Sequence, residues 1–233
     1  MRFRRGLRWV VGTLAAAAAW VAAAAPSPQV AGAEYAIRWD ARDGGPATTE
    51  DTAALLGLGT KRTARFSVDY YELPPSSAAP PGFATILRKR VDAAGHASVT
   101  WKLRGDRALD KWACPLRDAR DAKAEVDVAF GGADSVLRRY SYSCTSDTPD
   151  SAAGLLSAHA NGCPAAVTHV DAGRVKVEEW RLPGGTVLLE VSGSGVDPPV
   201  ALEQFRRQVV APLLAAGIRP VLQSKTETGS RCP

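Results

Sequence analysis

Between Ala84 and Asp106 the chain reads ATILRKRVDAAGHASVTWKLRGD, two alternating runs joined by a turn. Strand side chains alternate between faces, so Arg88 and Arg90 share one face while Leu87 and Val91 take the other. In the second run Thr100, Lys102 and Arg104 lie opposite Val99, Trp101 and Leu103. The same two-residue period recurs in EYAIRWD from Glu34, RTARFSVDYYEL from Arg62, AEVDVAF from Ala124 and LRRYSYSC from Leu137. It returns in AAVTHVD from Ala165, GRVKVEEWRL from Gly173 and GTVLLEVSG from Gly185, with turns at Asp171-Ala172-Gly173 and Pro183-Gly184-Gly185.

Two stretches follow a helical period instead. TTEDTAALLGLG predicts a short helix capped by Thr48 or Thr49, with Glu50 and Asp51 in its first turn and Gly57 or Gly59 as its stop. After Asp197, a candidate N-cap, Leu202, Phe205, Val209 and Leu213 mark one apolar helix face, which Gly217 terminates and Pro212 should kink. RPVLQSK predicts a closing strand, PPSSAAPPG is a proline-rich loop, and residues 145–164 hold at most a short helix. SGSG at Ser192–Gly195 reads as a strand-end turn rather than a nucleophile. The pattern predicts one α+β domain of about eight or nine mainly antiparallel strands, its sheet closed or nearly closed, with two or three peripheral helices.

The N-terminus changes the charge picture. Arg2, Arg4, Arg5 and Arg8 precede the apolar run WVVGTLAAAAAWVAAAA and the small-x-small pattern Ala31-Gly32-Ala33. This predicts that residues 1–33 are a cleaved secretory signal peptide and that residues 34–233 form the mature domain, with a cut after Ala24 as the second option. The whole chain carries 29 Lys and Arg against 24 Asp and Glu, but the leader holds four of the arginines and no acid. The basic excess therefore belongs largely to the leader and gives no support to nucleic-acid binding or stable membrane anchoring. A secreted or cell-envelope location follows. In an exported chain, four cysteines (Cys114, Cys144, Cys163 and Cys232) read as two disulfides. Of the three pairings, Cys144–Cys163 with Cys114–Cys232 is favoured, since the first closes the loop between its partners.

No HExxH, no Gly-rich loop ending in Lys-Ser/Thr and no GxSxG is present, and His96, His159 and His169 are scattered. Charge at alternating strand positions is what stands out. Glu125 and Asp127 share a face opposite Val126 and Val128; Arg139 shares one with Ser141 and Ser143; Glu190 lies opposite Leu189 and Val191. On an open sheet these residues face water. In a closed sheet they line a lumen, where bases suit phosphate oxygens and carboxylates suit Mg²⁺ or Mn²⁺.

Tyr70-Tyr71-Glu72-Leu73-Pro74 is followed by Leu87-Arg88-Lys89-Arg90, Thr100-Trp101-Lys102, Glu125, Glu190 and a terminal Ser224-Lys225. This order of motifs resembles the CYTH, or triphosphate tunnel metalloenzyme, superfamily. The resemblance implies an antiparallel tunnel of about eight strands that binds triphosphate or polyphosphate ligands, with Mg or Mn as cofactor where it is catalytic. By position, Arg88, Arg90 and Lys102 would cradle phosphates, Arg38, Arg139 and Lys225 would assist, and Glu34 and Glu190 would hold metal. Glu125 and Asp127 would stand in for missing carboxylates.

Two departures matter. Where that family shows ExExK, this chain has Glu34, Ala36 and Arg38; where it shows a late ExE, this chain has Leu188 and Glu190. The bases survive better than the acids, which favours anion binding over hydrolysis. Three readings stay open: a binder of polyphosphate or a related polyanion, a metal-dependent triphosphate or polyphosphate phosphohydrolase, and a non-catalytic structural or protein-interaction domain.

Overall fold

The computed structural model describes residues 30–71, 73, 79–148, 164–195 and 199–229. Nine strands form one closed barrel. In chain order they are β1 (Val30–Asp40), β2 (Arg62–Tyr70), β3 (Phe83–Asp92), β4 (Ala97–Gly105), β5 (Arg120–Phe130), β6 (Val136–Ser146), β7 (Ala165–Asp171), β8 (Val175–Arg181) and β9 (Val187–Gly195). Around the ring the order is β1-β5-β6-β4-β3-β2-β7-β8-β9. An odd ring cannot alternate direction throughout, so one neighbouring pair must run parallel. That pair is β1 with β5, and the other eight are antiparallel.

Two apolar layers cover the outside of the barrel and a third lies within it. On one side Tyr35, Ile37, Val128, Val177, Leu189 and Val191 pack under Phe205, Val209 and Leu213. On the other, Leu87, Val99, Leu103 and Tyr142 pack under Trp112 and Leu116 of the 106–119 segment. Inside, Val68, Val167, Trp180 and Leu188 fill one wall, together with Tyr70. The lumen is therefore amphipathic: β2 and β7 carry apolar side chains inward where β3 and β4 carry cations.

The helices are α1 (Thr49–Leu55), α2 (Pro199–Phe205), α3 (Ala211–Ala215) and α4 (Lys225–Gly229). Thr48 caps α1, accepting a hydrogen bond from the Asp51 backbone N–H. A π-turn, Arg206–Val210, joins α2 to α3, and the Ala211 N–H reaches back to the Arg206 carbonyl. The π-turn lies where Pro212 would otherwise interrupt the regular ladder, so the proline is absorbed by a widened turn rather than by fraying. Asp197, the expected cap, lies outside the described residues.

Three expectations need correction. RPVLQSK does not form a strand: Pro220 makes one isolated bridge to Trp39, and the chain then turns into α4. SGSG is not a turn but the end of β9, with Ser192 and Ser194 facing the same way as Glu190. A Cβ on Gly193 would come within 3.4 Å of the Phe205 ring, so the glycine lets the helix approach the sheet closely. Finally, the disulfide observed is Cys114–Cys144, not Cys144–Cys163. It clamps the 106–119 segment onto β6, where Cys144 sits fully buried beside Trp112 and Leu116. Cys163 and Cys232 lie outside the described residues.

Candidate functional site

Ladder register fixes which side chains meet in the lumen. Between β3 and β4, Arg88 lies opposite Thr100; between β4 and β6, Lys102 lies opposite Ser143 and Arg104 opposite Ser141. Small serines on β6 leave space above the sheet. Across it, Asp127 of β5 reaches β4, and its Oδ2 takes Lys102 Nζ at 3.1 Å and Arg104 Nη2 at 2.8 Å. Its Oδ1 is buried with no hydrogen-bond partner.

Arg38, Arg88, Lys102, Arg104 and Lys225 line a single cavity of about 80 Å³, with Glu34 the one acid on its wall among the described residues. Among these cations Arg88 has no ion pair among the described residues. Burial lowers the Lys102 ammonium below its ordinary value; Asp127 offsets this in part and Arg104 adds to it. A buried cation held below its normal range is short of negative charge, and an incoming anion supplies it.

The β7–β8–β9–β1 wall is arranged differently. His169, Glu178, Glu190 and Arg38 are consecutive cross-strand neighbours, forming one row around the barrel. Glu190 is 1% exposed. Arg38 Nε binds its Oε2, and Lys225 Nζ lies 2.8 Å from its Oε1. Lys225 also binds Glu178 Oε2, which accepts from Trp180 Nε1 at 3.0 Å as well. His169 Nδ1 lies 3.0 Å from Glu178 Oε1, and Arg90 lies 3.7 Å from the same oxygen. Burial alone would raise both carboxyls. Arg38 and Lys225 outweigh it at Glu190, while Lys225, His169 and Arg90 hold Glu178 well below the ordinary range. Lys225 in turn is lifted: burial opposes its charge, but Glu178 and Glu190 prevail.

Lys225 reaches this point because α4 begins with a capping box. The Ser224 N–H donates to Glu227 Oε2 at 2.7 Å and the Glu227 N–H donates to Ser224 Oγ at 3.2 Å. Arg139 Nη1 closes the group, 3.1 Å from Glu227 Oε1. Burial works against the Glu227 charge, yet the Ser224 donors and Arg139 bring its carboxyl down to about 2. Arg104, Arg139 and Glu227 line a wider mouth of about 460 Å³.

A divalent cation needs carboxylate oxygens it can reach. At Glu178 and Glu190 all four already face donors, so the pair does not fit a metal as it stands. Glu34, Glu125 and Asp127 offer oxygens within 4.8 Å of one another. Glu34 has no partner among the described residues, Asp127 keeps Oδ1 free, and Glu125 is tied to Lys123 at 2.8 Å.

Most expected residues converge. Arg38, Arg88, Lys102 and Lys225 line the cavity, Arg139 its mouth, and Glu34, Glu125 and Asp127 cluster beside it. Arg90 stands apart. Its guanidinium lies 4.7 Å from the Phe66 ring centroid, and it lines a separate cavity with Asp92, His96 and Arg120. Two participants were not singled out from sequence: Glu227 completes the Ser-x-x-Glu box, and Glu178 sits in a Glu-Glu pair whose inward member alternation alone does not fix. Arg104, grouped by alternation with Lys102, lines the cavity beside it.

No family model matches the chain, and no curated protein matches it. Among solved structures it is similar to protein PH1819 from Pyrococcus horikoshii, at 12% identity and a TM-score of 0.50, over 84% of this chain and 97% of that one. It is also similar to a Hippeastrum protein, a candidate adenylyl cyclase said to reveal a dominant triphosphatase activity. There the identity is 10% and the TM-score 0.51, over 87% of this chain and 97% of that one. At such identities the likeness establishes a shared fold.

Proposed function

We propose that the protein is an exported CYTH-like domain that captures a phosphate-rich anion, such as tripolyphosphate or an end of polyphosphate, in its basic lumen. The observation that carries this reading is the cavity wall, on which the described residues supply five cations and one acid, Arg88 has no ion-pair partner among them, and Lys102 is under-compensated. The cavity of about 80 Å³ shares Arg104 with the wider mouth that Arg139 lines, so the rest of a chain whose phosphoryl group is held inside has a way out past those two arginines. Charge-assisted bonds from arginine and lysine are the strong ones for such oxygens. Pairing of Asp127 with Lys102 also suits a purely structural domain; Arg88, without an ion pair among the described residues, is what separates the two readings.

Calorimetry with tripolyphosphate tests this. Arg88→Ala with Lys102→Ala is expected to abolish binding, and binding unchanged in that double variant overturns the proposal.

The cluster of Glu34, Glu125 and Asp127 supports a second reading, metal-dependent hydrolysis, as does the triphosphatase activity said of the Hippeastrum protein. When bound there, Mg²⁺ or Mn²⁺ would screen phosphate charge, with Glu34 and Asp127 as the carboxylates nearest the cavity. Phosphate release that requires metal and disappears in Glu34→Gln would establish it.

Export rests on the basic-then-apolar leader, and the Cys114–Cys144 bridge suits an oxidising compartment. Because β1 starts at Val30 and Ala33 pairs with both Val126 and Gly195, a cut after Ala24 keeps the strand whole. The mass of the secreted chain should therefore correspond to Ala25 as its first residue; a first residue at Glu34 would sink this choice of site.

A further inference from the structure

We propose that Lys225 is the resident counter-cation of the Glu178–Glu190 pair, so that anion capture in the lumen needs no divalent metal at that pair. The proposal rests on the anion-site reading and concerns how that site is balanced. Glu178 and Glu190 face each other across β8 and β9, the arrangement in which a metal would bridge two carboxylates. The bridge is an ammonium instead: Nζ binds Glu178 Oε2 and lies 2.8 Å from Glu190 Oε1. Every remaining oxygen of the pair is taken, one by Arg38 and one shared by His169 and Arg90.

Charge points the same way. Arg38, Arg90 and Lys225 already place three positive charges around two carboxylates, so an added divalent ion meets net repulsion. Lys225 is also fixed in place. The Ser224–Glu227 box sets the start of α4, and Nζ sits 5.3 Å from the centroid of the Trp180 ring. An ammonium has three donors. Two serve Glu178 and Glu190, and the third remains for the cavity that Lys225 also lines. The lysine thus joins carboxylates on one side to a bound anion on the other, as a metal ion would.

Manganese binding followed by electron paramagnetic resonance provides the test, on the wild type, Lys225→Met, and Lys225→Met with Glu178→Gln. Lys225→Met should gain a Mn²⁺ site at least about tenfold tighter than any in the wild type, the scale on which a group beside a metal ligand acts. The second substitution should remove that site. Wild-type binding of tripolyphosphate should persist in excess chelator. A wild-type Mn²⁺ site that Glu190→Gln weakens would overturn the proposal, as would a folded Lys225→Met with no new site. Tripolyphosphate binding that appears only with added Mn²⁺, held at a site that Glu190→Gln weakens, would do the same. If Lys225→Met does not fold by circular dichroism, the two wild-type measurements decide. If the wild type binds no tripolyphosphate at all, the anion reading fails while the Mn²⁺ comparison still judges Lys225.

Discussion

On the β8–β9–β1 side of the lumen, each buried cation meets a carboxylate that holds it; on the β3–β4 side, cations outnumber the acids they face. Lys225 and Lys102 show the contrast within one residue type. Both are buried ammonium groups lining the same cavity. Lys225 is raised by Glu178 and Glu190 against the effect of burial, whereas Lys102 is lowered by burial despite Asp127. A lysine that its own carboxylates satisfy is part of the framework. A lysine that is not satisfied is where a ligand's charge is worth most. The register makes the difference, because Glu178, Glu190 and Arg38 are direct cross-strand neighbours while Lys102 and Arg104 face serines.

The strongest way to break this comparison is Glu190→Ala. It strands Arg38 and takes from Lys225 one of its two carboxylates, in a site where Glu190 itself is 1% exposed. Removing one partner of a buried ion pair costs about 3–5 kcal/mol, so the urea midpoint should fall sharply, and a loss under about 1 kcal/mol would contradict the framework role. Acid should act in the same direction. The folded carboxyls of Glu178, Glu190 and Asp127 lie below their ordinary values. Their contribution is therefore complete above the unfolded carboxylate range and is lost as pH falls through the folded values. Glu227, brought down to about 2, adds to the slope below the unfolded value of 4.5. In Glu190→Ala the acid limb of stability against pH should be shallower than in the wild type.

The disulfide sharpens the other side. Cys114–Cys144 closes a sequence separation of 30 and backs the β4–β6 wall that presents Lys102 and Arg104. The loop-entropy estimate for such a closure is roughly 3–4 kcal/mol, so Cys114→Ser with Cys144→Ser should unfold at a clearly lower urea concentration. No change in midpoint would mean that the 106–119 segment holds without the clamp.

Part of this contrast was legible in the sequence. A strand fixes which side chains share a face, but only the resemblance in motif order implied that the face of Arg38, Arg88, Lys102, Arg139, Glu34, Asp127 and Glu190 lines a lumen. Parity says nothing about neighbours in the ring. The pairing of β8 with β9, which brings Glu178 onto Glu190, is a tertiary fact, and the adjacent Glu178 and Glu179 point to opposite faces whichever way the strand is turned. Cys114 met Cys144 for the same reason: loop closure along the chain favoured Cys163, but packing of the 106–119 segment on β6 decided it. RPVLQSK was read as a closing strand, although Ser224-x-x-Glu227 already carried a helix-start signal.

The smallest effect is the most specific to the unsatisfied side. Because Lys102 is held below its ordinary value by burial and by Arg104, its proton is bound more weakly in the folded protein than in the unfolded chain. The deficit weakens the folded state below the unfolded lysine value of 10.5, and stability is regained as pH rises through the folded value towards it. An anion bound beside Lys102 restores the missing negative charge and raises its pKa. Tripolyphosphate binding just below pH 10.5 should therefore take up a fraction of a proton, read as a dependence of the calorimetric enthalpy on the buffer's ionisation heat. In Lys102→Met that uptake should vanish, while in Lys225→Met it should remain, because Lys225 is already raised by Glu178 and Glu190 and has little further to rise. Uptake that disappeared with Lys225 and survived the loss of Lys102 would reverse the assignment of the two walls.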